Sequence, residues 1–216
     1  MKQINSKRIV WIIIATVIAF AVGLKLGALV ANSQKLQVKA ATIFEKPRVI
    51  SPFKLQTTAA KEFTQKDLLG HWTLMFFGFT NCPDICPTTL SILNQVYQTV
   101  EKKGIKPPQV VFVSVDPGRD HLDKLASYVP YFNPNFIGAT GAPNELKSLA
   151  QQLGVMYQRI DDPKLTPEQQ KKSYLVDHSG TIVVFNPQGQ YFAVFSMPHQ
   201  APEIAQDMIN ITQHYE

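Results

Sequence analysis

Cys82 and Cys86 are the only two cysteines of this 216-residue chain, and they lie within Phe77-Gly78-Phe79-Thr80-Asn81-Cys82-Pro83-Asp84-Ile85-Cys86-Pro87. Thiolates attack disulfides and are the preferred soft ligands of Cu(I) and zinc, so a pair this close can act as one unit in redox exchange or in metal binding. As a structural bridge the pair is a poor staple, because in the chain-entropy account stabilisation grows with loop length and this loop is short. The flanking prolines and Asp84 are turn formers, which sets the pair apart from two inert core cysteines.

The elements around the pair follow from hydrophobic patterning. Residues 73–79, Thr-Leu-Met-Phe-Phe-Gly-Phe, are continuously apolar and predict a short buried strand. After the pair, Leu90, Leu93, Tyr97 and Val100 recur at helical steps, Ile92 and Val96 widen the stripe, and Gly104 marks a stop. The cysteines therefore belong at a strand-to-helix junction, where free N–H groups and the positive helix end are expected to lower a cysteine pKa. Proline is tolerated in the first helical turn and costs about 3 kcal/mol deeper in a helix, so either Pro83 or Pro87 can mark the start. Both starts permit bridging, since one turn rises about 5.4 Å and a disulfide needs Cα atoms roughly 4.4–6.8 Å apart.

At the N-terminus, Ile9 to Ala31 is apolar but for Lys25 and follows Lys2, Lys7 and Arg8. About 20 such residues cross a bilayer, which predicts a cytoplasmic start (1–8), a transmembrane anchor (9–31), a linker (32–49) and one domain (50–216), with signal cleavage after residues 31–33 as the alternative. The leading positive cluster orients the anchor N-in against the competing Lys35, Lys39, Lys46 and Arg48, and so puts the domain outside the cytoplasm, where disulfides persist. The net charge of +5 comes from scattered Lys and Arg, a solvated surface and no nucleic-acid footprint. Lacking an Arg- and Ser-rich leader, the sequence points to a bacterial inner-membrane protein with its domain on the periplasmic side.

Within the domain, 109–115 predicts a second buried strand, 121–128 and 143–153 helices, and 136–138 a short strand between them. Residues 174–176, 181–185 and 191–195 predict further strands, followed by a C-terminal helix carrying Ile204, Met208 and Ile211; 161–172 is a polar surface insertion with a helical turn after Thr166-Pro167. A βαβ unit, a hairpin and a final helix describe a thioredoxin-like α/β domain with the cysteines at its first core helix. His178, in the turn Val176-Asp177-His178-Ser179-Gly180, would complete a two-sulfur, one-nitrogen set that suits a soft monovalent copper ion. His71, His121, His199 and His214 read as solvated turn residues.

The cysteine segment, Val115-Asp116-Pro117-Gly118-Arg119-Asp120 and Val176-Asp177-His178-Ser179, in that order, together resemble the Sco/SenC/PrrC proteins. The resemblance runs from about Ser51 to the C-terminus and includes the anchor. It implies copper held by Cys82, Cys86 and His178, as Cu(I) and transiently Cu(II), and used to assemble the copper A centre of cytochrome c oxidase. The implied partners are the copper-binding subunit of that oxidase, periplasmic copper chaperones and thiol–disulfide reductases. Asp177 stands beside the ligand and could orient its imidazole. Gly118 departs from the family, which commonly has an acidic or polar residue there; Asp120 reads as a helix cap or part of a partner surface. The rival reading makes Cys82 and Cys86 the redox-active pair of an extracytoplasmic thiol–disulfide oxidoreductase, although the spacing is one residue longer than Cys-x-x-Cys and leaves His178 without a task. A peroxide-reducing enzyme is a third reading, disfavoured by the spacing of residues upstream of Cys82.

Overall fold

The computed structural model describes residues 6–31, 36–170 and 173–215, and within the first helix the side chains of residues 11–24. The chain divides into two units, Met1–Gln37 and Val38–Glu216. In the first, α1 (Ser6–Ala31) is one unbroken 26-residue helix with exposed Trp11, Ile12, Val17 and Phe20. Among the described residues no helix is long and apolar enough to cross a membrane. The expected span 9–31 extends beyond the described side chains at both ends.

The second unit runs β1 (Ala41–Arg48), β2 (Leu55–Thr57), β3 (Glu62–Phe63), a 3-10 turn, β4 (Thr73–Gly78), α2 (Ile85–Lys102), β5 (Gln109–Ser114), α3 (Leu122–Phe132), β6 (Ile137–Thr140) and α4 (Pro143–Leu153). It continues through β7 (Tyr157–Ile160), α5 (Pro167–Gln170), β8 (Leu175–His178), β9 (Ile182–Phe185), β10 (Tyr191–Phe195) and α6 (Ala201–Tyr215). Eight strands form one sheet in the order β1-β10-β9-β4-β5-β6-β2-β3, and β7 and β8 pair in a separate two-stranded sheet. β4 lies between parallel β5 and antiparallel β9, and all six of its residues are buried. Burial on both faces is why its sequence shows continuous apolarity and no alternation. The βαβ unit, the β9–β10 hairpin and the closing helix make a thioredoxin-like α/β domain.

Three features depart from the sequence reading. Ala41–Arg48, assigned above to the linker, pairs antiparallel with β10 as an edge strand. Its start is fixed from a distance: the buried carboxylate of Asp207 on α6 accepts the backbone N–H groups of Lys39, Ala40 and Ala41 at 2.7–3.0 Å. Tyr157–Ile160, which no element was expected to cover, pairs with β8, placing Tyr157 opposite His178. α3 runs on through Pro130 to Phe132, with the proline on the exposed side of the helix.

Candidate metal centre

β4 delivers the chain to the site and α2 leaves it. After Gly78 the backbone turns, closed by the Cys82 N–H to the Phe79 carbonyl at 3.2 Å, and Asp84 is the N-cap residue of α2. The helix thus begins at Ile85, between the two candidate prolines, and Pro87 falls in its first turn, where a missing N–H costs nothing. Cys86 is the second helical residue, and its N–H points at Cys82 Sγ, 3.4 Å away. One sulfur therefore serves as acceptor for a helix-end N–H that has no partner within the helix. Gly78 makes room for the other: a Cβ there would lie 2.6 Å from Cys86 Sγ and 2.9 Å from the Phe112 ring. Cys86 is fully buried, Cys82 is partly exposed, and both are free thiols.

His178 arrives from the other sheet, at the end of β8 and not in the turn beyond it. Its Nε2 lies 3.3 Å from Cys86 Sγ and 3.9 Å from Cys82 Sγ, and the three donor atoms all sit within 4.8 Å of one another. Phe76 and Phe79 each meet the imidazole edge to face, with centroids 6.0 Å away. The turn that follows needs Gly180: its φ is +64°, and a Cβ would meet Met197 Sδ at 2.5 Å. Nδ1 of His178 is buried and makes no hydrogen bond among the described residues. Asp177, offered above as the group that orients the ring, is exposed and reaches it only through its charge.

Burial decides the electrostatics. It pushes the Cys86 thiol far above its ordinary value, and the neighbouring Cys82 adds to the rise. This corrects the expectation of a lowered pKa, because the sulfur sits under the helix start and away from water, where desolvation outweighs the helix dipole. For His178, burial lowers the pKa and Asp177 opposes it less strongly, so near neutral pH the imidazole is uncharged and Nε2 has a lone pair to offer. The donor set is thus two sulfurs and one neutral nitrogen, chemistry that suits a soft ion. Two donors about 2.0–2.3 Å from a shared ion at trigonal angles stand about 3.8 Å apart. The two sulfur–nitrogen separations, 3.3 and 3.9 Å, bracket that figure. Among the described residues no other group of three His, Cys, Asp or Glu side chains converges in this way.

The SCO1/SenC family profile matches residues 41–213. The chain belongs to the SCO1/SenC family. The human protein SCO1 homolog, mitochondrial, is 33% identical over 197 residues, covering 87% of this chain and 62% of its own length. Among solved structures, yeast Sco1 with copper bound superposes with a TM-score of 0.70 at 31% identity, covering 79% of this chain and 91% of that one. Arabidopsis thaliana ScoI with copper bound gives 0.68 at 34% identity, covering 76% of this chain and 99% of that one. The chain spans 53–62% of the length of the first curated relatives it matches.

In this SCO1/SenC domain the Asp116–Asp120 segment does more than connect a strand to a helix. Asp120 is fully buried and does not cap α3, whose N-cap position belongs to His121. Its carboxylate accepts the Thr80 N–H at 2.7 Å, the Thr80 hydroxyl at 2.5 Å and the Ser114 hydroxyl at 2.7 Å, which fixes the loop that leads to Cys82. His199, read as a solvated residue, is partly buried and donates from Nε2 to the Gly180 carbonyl at 2.7 Å; burial lowers its pKa, with that bond opposing. His71, His121, His199 and His214 take no part in the donor cluster. In the insertion, Pro167–Gln170 is helical, while residues 171–172 lie outside the described part.

Proposed function

We propose that this SCO1/SenC chain is a membrane-anchored copper chaperone that binds copper through Cys82, Cys86 and His178 and serves assembly of the copper A centre in the copper-binding subunit of cytochrome c oxidase. One observation carries the reading. One thiol from the turn before α2, a second from its first turn and an imidazole from β8, 96 and 92 positions further along the chain, bring their donor atoms together within 4.8 Å. The copper-bound structures of the Arabidopsis and yeast relatives support it.

Each ligand has a separate task. Cys82, partly exposed, meets incoming Cu(I) first and is the sulfur a partner's ligand can displace. Cys86, whose proton burial favours in the free protein, gives that proton up when metal enters, so loading releases acid. His178 closes the set from a two-stranded hairpin outside the main sheet, and the same geometry admits Cu(II) transiently. Copper would come from periplasmic copper chaperones, and thiol–disulfide reductases would keep the pair reduced. Residues 9–31 serve as the anchor in the bacterial inner membrane, with 1–8 cytoplasmic and 50–216 on the periplasmic side; the unbroken helix and the basic start support this.

The pairing of a partly exposed with a buried thiol also favours a second activity on the same atoms. Cys82 thiolate would attack a partner disulfide, and Cys86 would resolve the mixed disulfide. Two electrons and two protons would then have passed to the partner's cysteines, leaving a Cys82–Cys86 disulfide. The test is anaerobic copper titration of the detergent-solubilised full chain. One tightly held copper per chain, lost in Cys82→Ala/Cys86→Ala and weakened in His178→Ala, is the expected result. No copper on fully reduced wild type, with intact reduction of a partner disulfide, would leave thiol exchange as the function.

A further inference from the structure

The hairpin that carries His178 is joined to the domain by a second set of contacts at its far end. Tyr174 stands just before β8, four residues from His178 and therefore about 13 Å along an extended strand. Its hydroxyl donates to Asp116 Oδ1, its carbonyl accepts from Arg119 Nη1 at 2.8 Å, and its ring lies between two guanidinium groups, Arg119 at 3.5 Å and Arg159 of β7 at 4.0 Å. Arg119 Nε in turn bonds Asp116 Oδ2 at 2.5 Å, an ion pair almost entirely withdrawn from water. Burial and the bond to Asp116 push the Tyr174 phenol up to about 12, so it stays a donor throughout the physiological range.

The same segment grips the thiol side. The Asp116 N–H bonds Ser114 Oγ at 3.2 Å, Ser114 Oγ donates to Asp120, and Asp120 holds Thr80, two residues before Cys82. Lys124 Nζ bridges Asp120 Oδ1 and Asn81 Oδ1, at 3.2 and 2.7 Å. One carboxylate thus secures the cysteine loop and the other secures the histidine hairpin.

We propose that Asp116, Arg119 and Tyr174 are positioning residues that set the imidazole of His178 against the cysteine pair, making the 114–120 segment a two-sided clamp on the donor triangle. The inference rests on the copper reading of that triangle. Because β7 and β8 pair only with each other among the described residues, the hairpin has no main-sheet register there to hold it, and the clamp supplies the restraint that a third strand would give. Releasing Tyr174 frees His178 while leaving both thiols in place.

The experiment compares full-length wild type, Tyr174→Phe, Tyr174→Leu, Arg119→Met, His178→Ala and Tyr174→Leu/His178→Ala. Cu(I) affinity is read by competition with a colorimetric chelator, and amide hydrogen exchange is measured on the copper-free protein. Tyr174→Leu is expected to weaken Cu(I) binding about 10–100-fold, the usual loss when a group supporting a metal ligand is removed. Tyr174→Phe, which keeps the stacked ring, falls between it and wild type. The double variant should bind no more weakly than His178→Ala alone, since the clamp acts through the imidazole. Amides of Leu175 and Asp177, the β8 positions whose N–H groups face β7, should exchange faster in Tyr174→Leu, with those of β4 and β5 unchanged. Wild-type affinity in Tyr174→Leu, or a loss that adds in full to that of His178→Ala, would overturn the proposal. Should wild type bind no copper, the copper reading fails, and exchange alone decides the clamp: unchanged protection of Leu175 and Asp177 overturns it. Should Tyr174→Leu lose β4 protection as well, Tyr174→Phe and Arg119→Met carry the same comparisons.

Discussion

Gly78→Ala probes how tightly the fold dictates the place of Cys86. The added Cβ would stand 2.6 Å from Cys86 Sγ and 2.9 Å from Phe112 Cε2, and both neighbours are fully buried. Ordinary carbon contacts lie at about 3.5–4.0 Å, so the sulfur would have to retreat by about 1 Å or the strand shift by as much. β4 is paired on both sides and cannot move freely, which assigns the displacement to the sulfur and the Phe112 ring. Overpacking of this kind costs about 1–3 kcal/mol. For a domain of this size that lowers Tm by roughly 2–12 °C. Differential scanning calorimetry of the copper-free chain gives the stability, and chelator competition gives Cu(I) affinity, which should fall because the displaced sulfur leaves the donor triangle. In a Cys86→Ala background the same substitution should cost less by at least about 0.5 kcal/mol, because one of its two clashes is gone. Gly78→Ala with unchanged melting and unchanged copper affinity would show that contact with position 78 does not fix the place of Cys86.

Acid should destabilise the copper-free protein through two histidines. Burial holds His178 and His199 below their ordinary 6.5, so the unfolded chain binds more protons than the native one in that window. Stability is therefore full above about 6.5 and drains away as pH falls below it towards the folded-state values. Urea melts from pH 8 to 5 should show a smaller decline in His199→Asn than in wild type, and equal declines would contradict the assignment. The two thiols should also differ in reactivity. With iodoacetamide at pH 8, mass spectrometry of the reduced, metal-free chain should find Cys82 labelled well ahead of Cys86, which is buried and has a raised pKa. Equal labelling rates in the native state would contradict the burial argument.

What the sequence made legible is what local pattern encodes. Continuous apolarity from Thr73 announced β4, the three- and four-residue steps from Leu90 announced α2, and Cys82 and Cys86 stand at the junction between them. His178 was legible as a third donor by residue type, yet its approach to the thiols depends on β7, whose four residues Tyr157–Ile160 are mostly exposed and give no strand-like pattern. Partners distant in sequence account for the rest. Asp120 looks like a helix cap because it precedes α3, but its carboxylate binds Thr80, 40 residues earlier. Asp207 looks like one polar residue on an amphipathic helix, while it anchors a strand that begins more than 160 residues before it. The Cys86 pKa was misjudged for the same reason. A helix dipole can be read from neighbouring residues, whereas desolvation depends on which side chains arrive from elsewhere, here Phe112 and Tyr128 among them.

The most direct test of the three-donor site is X-ray absorption spectroscopy at the copper edge on the Cu(I)-loaded full chain, run beside His178→Ala. A first shell of two sulfurs and one nitrogen is expected in wild type, with the nitrogen contribution gone in the variant. A wild-type shell of sulfur alone, or one that the variant leaves unchanged, would contradict the three-donor site.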